Sequence, residues 1–380
     1  MAGWVIDFVA TAPPAETSSG LSRAVWELAA GLQSRGHSVR VLYPAERPMK
    51  LPPFRGVEPV AIPFLGQSRR PFGRDIEIAR NASDVLRRNA DIVVGSDEKA
   101  GALKLPHGRR PVFGMFFFDV ALHTFDTLRP LEPDRGLRQR VGNWLDRGTL
   151  KRLERAAAGR ASVILVGAAL NRELLQRYYH IDPKRVAVLP LGVPDPMEGT
   201  DRAAARRQFK IPLDVPTVLF VGRTPERQGL PAALESFRRV RVFFPGARMI
   251  VVGCQAPNEP GVLSLGLVDE LTKANAYRAA DLFLFPTRYE GFGLAPREAM
   301  RYGLPVITSS HVPLDGAHPP NDVRVVRSDD PGDYASELAE LLADPALRRQ
   351  VGEAGKAWAD EFSFTKMAER FERLFQPFLS

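Results

Sequence analysis

The sequence predicts an α/β protein with two doubly wound parallel sheets. Short β-branched and aromatic runs alternate with longer amphipathic stretches along the whole chain, as parallel strands alternate with their covering helices. Several runs, such as VLFVG and LFLFP, are apolar on both faces, which is typical of strands that helices cover on both sides. At 380 residues the chain is too long for one ordinary core. We therefore expect two Rossmann-like domains whose strand ends face each other across a cleft.

In the first half, each predicted strand is a short run rich in β-branched or aromatic residues. These runs are Trp4–Ala10, Ser38–Tyr43, Asp91–Val94, Pro111–Phe117, Ser162–Val166 and Val186–Leu189. The stretches between them repeat apolar residues every three or four positions, which predicts helices. These helices are Leu21–Arg35, Ile76–Arg88, Leu137–Ala158 and Ala168–Tyr178.

The second half repeats this alternation. Its predicted strands are Thr217–Val221, Arg248–Val252, Asp281–Phe285, Pro305–Ser309 and Val323–Val326. Its predicted helices are Leu230–Val242, Glu270–Ala279, Leu294–Arg301, Tyr334–Leu342 and Ala346–Glu361. As in the first half, the strands are short apolar runs, and the helices repeat apolar residues every three or four positions.

A linker is predicted near the midpoint, where Gly192–Gly199 contains two prolines and two glycines and interrupts the alternation. We expect an N-terminal domain over residues 1–192 and a C-terminal domain over residues 193–362. Residues 363–380 remain for a terminal helix, Lys366–Phe378, which follows a complete second domain and can return to the N-terminal domain.

The charge balance favours anionic partners. Lysine and arginine outnumber aspartate and glutamate by 52 to 44, a formal net charge of +8. Such a surplus suits nucleotide diphosphates, nucleic acid or an acidic membrane, although arginine can also simply solvate a surface. No nucleic-acid motif accompanies the charge, so no nucleic-acid partner is predicted.

Cysteine usage and hydropathy predict a cytoplasmic protein. Cys254 is the one cysteine, so no intramolecular disulfide forms, as suits a reducing compartment. The first residues read as a strand and not as a signal peptide, because an aspartate interrupts their apolar run. No apolar stretch approaches the roughly 20 residues that span a bilayer.

The segment with the strongest functional signal is PTRYEGFGLAPREAM, which follows the predicted strand DLFLF. Gly291 and Gly293 allow the backbone to turn tightly and approach a ligand, and the helix that follows presents N–H groups suited to phosphate or hydroxyl oxygens. Glu290 and Glu298 flank this turn, where carboxylates can accept hydrogen bonds from a polyol. The alternative is a capped, solvent-facing helix with incidental acids.

A second candidate is Arg223, which follows the buried run VLFVG. An arginine at a strand end can hold a diphosphate bidentately and stabilise it as a leaving group. Taken alone, an arginine after a strand is usually a surface residue. The scattered histidines and the single cysteine predict no metal cluster, and His37 is interpreted as a turn residue before the second strand.

The segments occur in the order LSRAVWELAAGLQSRGHSVRVLYP, RASVILVGAALNRELL, RVAVLPLGV, VLFVGR, ADLFLFPTRYEGFGLAPREAMRYGLPVITSS and ELLADPALRRQVGEAG. In this order they resemble retaining glycosyltransferases of the GT-B fold, closest to glycosyltransferase family 4. The resemblance covers most of the chain and is weakest between residues 45 and 135. Its most specific part is the pair of glutamates separated by seven residues, Glu290 and Glu298, with Arg223 upstream.

The resemblance implies a catalytic pair, Glu290 and Arg223. Glu290 would orient the donor sugar through its hydroxyls, Arg223 would bind the diphosphate, and Glu298 would accept hydrogen bonds from the ribose. It also implies further donor-binding positions at or near the loops described above. These are Gly20, Arg227, Gln228, Val268, Gly291, Phe292, Gly293 and Leu294, of which the last three would act through their amides and Val268 lies where the family seats the base.

The chain departs from the family pattern at several places. Gln228 stands where the family usually has a lysine, and Arg227 beside it is a candidate replacement for that charge. The strand MFFFD lacks the family's usual histidine, and His123 lies nearby but out of register. The segment HVPLDGAHPP after Ser310 is proline-rich, whereas the family tends to have glycines there.

The implied reaction transfers a sugar from a nucleotide diphosphate to a hydroxyl acceptor with retained anomeric configuration, without a metal or a cofactor beyond the sugar nucleotide. The N-terminal domain would bind the acceptor, which is a glycan, a lipid-linked molecule or a small molecule. Two alternatives stay open. One is a binding module that holds the sugar nucleotide without transfer, and the other is a sugar-nucleotide epimerase using Asp97, Glu98 or Asp119.

The stretch Arg135–Arg160 is basic and amphipathic, with eight basic and two acidic residues. One interpretation is peripheral contact with the anionic inner face of a membrane. The other is an ordinary helix that packs its apolar stripe on the N-terminal sheet.

Overall fold

The computed structural model describes residues 3–10, 12–14, 20–46, 51–64, 73–96, 99–107, 110–128, 137–198 and 200–379. Contacts divide the chain into two units. The first extends to Gly192 and also takes in the residues from Phe364 onward, and the second is Val193–Ser363.

The first unit is a parallel sheet with helices in its crossovers. Its strands are β1 (Val5–Val9), β2 (Ser38–Ala45), β3 (Glu58–Pro63), β4 (Ile92–Ser96), β5 (Val112–Phe117), β6 (Val163–Val166) and β7 (Val186–Val188). Its helices up to the linker are α1 (Gly20–Ser34), α2 (Gly73–Val85), α3 (Lys99–Ala102), α4 (Ala121–Leu128), α5 (Leu137–Arg160) and α6 (Ala169–Tyr179). In the described residues the strand order is β3-β2-β1-β4-β5-β6-β7.

The second unit has the same design. Its strands are β8 (Thr217–Val221), β9 (Arg248–Val252), β10 (Val262–Gly266), β11 (Leu282–Phe285), β12 (Val306–Ser309) and β13 (Arg324–Val326). Its helices are α7 (Arg202–Gln208), α8 (Pro225–Gln228), α9 (Leu230–Arg241), α10 (Glu270–Ala279), α11 (Leu294–Arg301), α12 (Pro331–Ala343) and α13 (Pro345–Ala359). The strands are parallel in the order β10-β9-β8-β11-β12-β13.

Both sheets confirm the predicted fold class. Each order runs outward in both directions from a central pair, β1 with β4 and β8 with β11, which is the doubly wound arrangement. Strands β4, β11 and β12 are buried along their whole length, as their two-sided apolar sequences predict.

Six of these strands and α-helices were not predicted from the sequence: β3, β10, α3, α4, α7 and α8. Strand β3 contains two prolines, and at the edge of its sheet a missing N–H is tolerated. The sequence pattern of strand β10 is also weak, because glycines lie at its ends and most of the strand is only half-buried. It too lies at the edge of its sheet. Helix α7 is short and polar, and its N-cap is Asp201, whose carboxylate accepts from the N–H of Ala204 at 2.7 Å.

The terminal helix α14 (Phe364–Phe375) belongs to the first unit. It packs against α1, and its Phe371 ring lies 5.8 Å from the Phe8 ring of β1. At its solvent side, Glu372 accepts from the Arg35 guanidinium at 2.7 and 2.8 Å and contacts His37 Nε2 at 2.9 Å. The helix therefore covers part of the first unit's core.

Candidate functional site

The candidate site lies at the carboxyl ends of β8 and β11, the central pair of the second sheet. The strand order reverses at this pair, which is the position where open α/β sheets bind ligands. The loops after Val221 and Phe285 carry Arg223 and Glu290.

Gln228 organises the loop after β8 through both ends of its side-chain amide. Its Oε1 accepts from the backbone N–H of Arg223 at 2.7 Å and from that of Thr224 at 3.0 Å. Its Nε2 donates to Glu290 Oε1 at 3.1 Å. This arrangement needs an acceptor and a donor on one side chain, which an amide supplies and an ammonium does not.

Glu290 is fixed from three sides. Besides the bond from Gln228, Arg227 Nη2 lies 3.7 Å from the same oxygen, and the Glu290 N–H donates to the carbonyl of His311 at 3.3 Å. The carbonyl of Arg227 in turn accepts from the N–H of Arg288 at 2.8 Å. The structure thus brings together four residues predicted from sequence: Arg223, Arg227, Gln228 and Glu290.

The N-terminus of α11 is open. Its N-cap, Gly293, has φ +79°, and a Cβ there would lie 2.6 Å from Val312 Cγ1, so only glycine fits. A glycine supplies no capping side chain, whereas Asp269 caps the neighbouring α10 by accepting from Thr272 N at 2.6 Å. Among the described residues, no hydrogen bond leaves the N–H groups of Gly293 and Leu294. Such an end is suited to an anion or a hydroxyl oxygen.

Behind this open end lies Arg297, which sequence reasoning missed. The side chain is buried, and its guanidinium donates to the carbonyls of Phe292, Gly293 (3.2 Å) and Pro313 (2.6 Å). Burial lowers the pKa of Arg297 to about 9, so the group still carries its charge at neutral pH.

Glu298 forms a second cluster in the next turn of α11. Its Oε2 accepts from the hydroxyl of Tyr277 at 3.1 Å and lies 3.3 Å from Lys273 Nζ. Burial, and secondarily the Glu298 charge, raises the pKa of Tyr277 well above its usual value, so this hydroxyl remains a donor. Both contacts use Oε2, so among the described residues Oε1 has no protein partner. Lys273 and Tyr277 were also missed, although their four-residue spacing on α10 puts them on one helix face.

The remaining predicted positions are placed as follows. Val268 is half-buried two residues after β10, Gly291 and Phe292 are buried before the open helix end, and Leu294 is the first residue of α11. Gly20 is the exposed first residue of α1, in the first unit. Also in the first unit, His123 Nδ1 lies 3.3 Å from the Tyr178 hydroxyl. Asp97 and Glu98 lie outside the described residues.

Metal-binding clusters and membrane-spanning helices are both absent from the described residues. No group of three or more His, Cys, Asp or Glu side chains there is arranged to hold a metal ion. No helix in the same ranges has both the length and the apolar character needed to cross a bilayer. Of the basic stretch, Arg135 and Gly136 lie outside the described residues, whereas Leu150, Ala157 and Ala158 of α5 are buried.

Two Rossmann-like units, one with a carboxylate–guanidinium cluster at its central strand pair, define the GT-B class of fold, and solved structures agree. A sucrose-phosphate synthase from Thermosynechococcus elongatus has a TM-score of 0.79 at 20% identity and covers 99% of either chain. An Anabaena protein, HepE in complex with UDP-glucose, has a TM-score of 0.72 at 14% identity and covers 98% of this chain and 100% of its own. At such identities the likeness shows the fold.

Family models identify the sequence more narrowly. The model described as Glycosyltransferase Family 4 matches residues 18–195, and the model described as Glycosyl transferases group 1 matches residues 201–358. The chain belongs to this family of group 1, family 4-like glycosyltransferases. A D-inositol 3-phosphate glycosyltransferase of Segniliparus rotundus is 34% identical over 214 residues, which are 51% of this chain and 47% of the relative. The chain thus spans about half the length of the curated relatives it matches.

Proposed function

We propose that the protein transfers a sugar from a nucleotide diphosphate to a hydroxyl acceptor, with retention of anomeric configuration. The observation that carries this proposal is the network in which Gln228 joins Glu290 to the backbone of Arg223, beside the open end of α11. It sets the Glu290 carboxylate 3.7 Å from the guanidinium of Arg227 and connects it, through Gln228, to the backbone of Arg223. Family membership supports the reaction type, and the Anabaena neighbour was solved with UDP-glucose.

In the proposed reaction, the bond from the anomeric carbon to the diphosphate breaks as the acceptor oxygen bonds to the same carbon on the same face, so that the configuration is retained. Negative charge builds on the departing diphosphate. Arg223, Arg227 and the amides of Gly293 and Leu294 would stabilise that charge in a preorganised environment. Glu290 would hold the donor hydroxyls in register, a contribution made through positioning. The proton of the acceptor hydroxyl would pass to an oxygen of the departing diphosphate, which balances the step.

The nucleoside end of the donor would bind at Glu298 and Val268. Glu298 Oε2 is occupied by Tyr277 and Lys273, which fixes the carboxylate, and Oε1 would accept from the ribose. Val268, after β10, would contact the base. No metal or further cofactor is part of the proposal, because guanidinium groups and helix amides supply the positive field.

The acceptor is proposed to bind the N-terminal unit. The curated relatives are named D-inositol 3-phosphate glycosyltransferases, so this cyclitol phosphate is the first acceptor to test, followed by glycans and lipid-linked acceptors. We also propose a cytoplasmic location, with peripheral contact of the Arg135–Arg160 stretch at an anionic membrane. Flotation with phosphatidylglycerol vesicles tests that contact, and no binding at low salt contradicts it.

A thermal-shift panel of UDP-, GDP- and ADP-sugars tests the donor. The correct donor stabilises the folded protein by mass action, about 2.7 kcal/mol at 100 times its dissociation constant. No shift with any member of the panel contradicts the proposal. Product analysis then separates transfer from the alternatives, since a binding module gives no product and an epimerase converts the donor without an acceptor. The NMR coupling of the product's anomeric proton reports whether configuration is retained.

Two variants and one control locate the chemistry. Glu290→Gln and Arg223→Ala should each lower kcat by about 10²- to 10³-fold, as when an electrostatic group is removed from an active site. Arg248→Ala is the matched control, because Arg248 is an exposed arginine at the opposite, amino end of the same sheet. Equal losses in all three variants would show that the effect is one of general stability.

A further inference from the structure

We infer that Arg297 is the positioning residue for the donor-binding amides of α11: it fixes the direction of the Gly293 and Leu294 N–H groups from behind. This inference rests on the proposed function and names a residue that neither the family resemblance nor the site motif singles out.

Two adjacent peptide planes determine where these N–H groups point. The carbonyl of Phe292 and the N–H of Gly293 belong to one peptide, and the carbonyl of Gly293 and the N–H of Leu294 belong to the next. In a trans peptide the carbonyl and the N–H point in opposite directions. Arg297 Nη1 donates to both carbonyls, so the two N–H groups point away from the guanidinium. Those N–H groups are the ones that donate to no other described group.

The guanidinium itself is held so that it cannot turn away. Nη2 donates to the carbonyl of Pro313 at 2.6 Å, and the cation lies 3.9 Å from the ring centre of Phe292. The rings of Trp358 and Phe362 lie 4.9 and 5.0 Å from it. Aromatic faces attract a cation, and in a buried position this attraction increases. Three rings and three carbonyls therefore hold one charge in one orientation.

The Arg297 guanidinium is a buried charge without a neighbouring counter-ion. Among the described residues no carboxylate lies within salt-bridge distance of Arg297, although Asp315 acts on it at longer range. Burying an ion without a counter-ion is costly, and carbonyls and rings offset only part of that cost. A purely structural position would be filled more cheaply by an apolar side chain. A cation behind two peptide groups has an additional effect, because it polarises them and strengthens their N–H groups as donors.

The proline-rich segment after Ser310 takes part in the same arrangement. Pro313 supplies the third carbonyl to Arg297, Val312 closes on Gly293, and the carbonyl of His311 accepts from Glu290 N. The segment thus supports the positions of both Glu290 and the open helix end.

The experiment compares two kinds of ligand on the full chain by isothermal titration calorimetry. The probes are UDP, GDP and ADP, and the nucleosides uridine, guanosine and adenosine, which lack the phosphates. The variants are Arg297→Met, which removes the charge, and Arg297→Lys, which keeps a charge but cannot donate to three carbonyls. We expect Arg297→Met to weaken diphosphate binding by about tenfold or more while nucleoside binding changes by less than about twofold. Arg297→Lys should show the same selectivity with a smaller loss.

Arg206→Met is the matched control. Arg206 is equally buried in the same unit and donates to the carbonyls of Ala279, Pro212, Leu213 and Val215, but it lies at the amino edge of the sheet. This variant should lower the melting temperature and leave the affinity ratio of diphosphate to nucleoside unchanged.

Three outcomes overturn the inference. The first is an unchanged diphosphate affinity in Arg297→Met, and the second is an equal loss for diphosphate and nucleoside, which would mean a general structural role. The third outcome applies if Arg297→Met does not fold: Arg297→Lys then has the same ratio of diphosphate to nucleoside affinity as the wild-type protein. Wild-type protein that binds none of the three diphosphates overturns the proposed function together with this inference, whereas wild-type binding with unaffected variants overturns the inference alone.

Discussion

At the scale of single residues, Gln228 shows how a departure from a family pattern can be an integral part of a site. The sequence indicates only that a lysine is missing. The structure shows that the Gln228 amide accepts hydrogen bonds from the backbone N–H groups of Arg223 and Thr224. The same amide also donates a hydrogen bond to Glu290. The positive charge beside Glu290 comes instead from Arg227, at 3.7 Å. The chemistry of the position has therefore changed from a cation to a two-way hydrogen-bond bridge.

Introducing the family's lysine should consequently harm this site. In Gln228→Lys, the N–H groups of Arg223 and Thr224 lose their acceptor, at about 1 kcal/mol each, and two cations come to lie beside each other. We expect a lower melting temperature and at least about tenfold weaker UDP, GDP or ADP binding by calorimetry. Gln350→Lys, on the exposed face of α13, is the control. Unchanged stability and affinity in Gln228→Lys would show that the bridge is dispensable.

Glu298 is the second residue whose role can be tested individually. Removing a carboxylate that accepts from ribose hydroxyls costs about 1.5–3 kcal/mol. In wild-type protein, 2′,3′-dideoxynucleoside diphosphates should therefore bind at least about tenfold more weakly than the ribonucleotides, and Glu298→Ala should abolish that difference.

Glu270→Ala is the control for this prediction, since Glu270 also pairs with Lys273, at 3.0 Å, without belonging to the predicted ribose contact. This variant should keep the ribose discrimination. A Glu298→Ala protein that still distinguishes the two nucleotides would place the ribose elsewhere.

At the scale of elements, the sequence predicted the buried central strands well and the edges poorly. Central strands such as β8 and β11 are apolar on both faces, so their pattern is unambiguous. Edge strands such as β3 and β10 bury less surface and tolerate proline and polar residues, so their patterns resemble loops. Candidate site residues next to central strands could therefore be proposed from the sequence. Arg297 could not, because its proposed role depends on a contact with Pro313, which only folding brings near.

Gly229 is the residue between α8 and α9, directly after the site residue Gln228. It has φ +80°, and a methyl group there would overlap the carbonyl oxygen of Pro286. Gly229→Ala should lower the free energy of unfolding by at least about 2 kcal/mol, since it combines left-handed strain with a backbone overlap. Urea denaturation measures the change.

Gly246→Ala is the matched control for Gly229→Ala. Gly246 lies in a turn of the same unit, and a Cβ there would have nothing within 4 Å. Its free energy of unfolding should change by less than about 0.5 kcal/mol. Similar values for the two variants would mean that the α8–α9 junction adapts its backbone to a side chain.

At the scale of the whole molecule, the chain leaves the first unit after Gly192 and re-enters it at Phe364. The sequence predicted the linker from its prolines and glycines, but it left open which unit the terminal helix joins. An amphipathic helix shows that it has a face to bury without showing against what. The contacts that decide the matter are with residues more than 300 positions away, such as Arg35 and His37 with Glu372.

The contacts of Glu372 on the terminal helix with Arg35 and His37 should make the stability of the first unit depend on pH. The hydrogen bonds from Arg35, and to a lesser extent from His37, lower the pKa of Glu372 from its ordinary value of 4.5. His37 Nδ1 accepts from Trp4 N at 2.9 Å, so the neutral ring carries its proton on Nε2 and donates to Glu372. A carboxyl with a lowered folded-state pKa stabilises the fold above the unfolded value, and the contribution is lost as pH falls through the lowered one.

We therefore expect Glu372→Gln to destabilise the first unit by about 1 kcal/mol at pH 7, a difference that shrinks as pH falls below 4.5. Trp358 is the one tryptophan of the second unit, so in a Trp358→Phe background fluorescence during urea unfolding reports the first unit alone. Glu369→Gln is the control, since Glu369 lies 3.5 Å from Arg35 and is 40% exposed. A loss in Glu372→Gln that persists unchanged at pH 3 would mean that the charge of Glu372 does not hold the terminal helix in place.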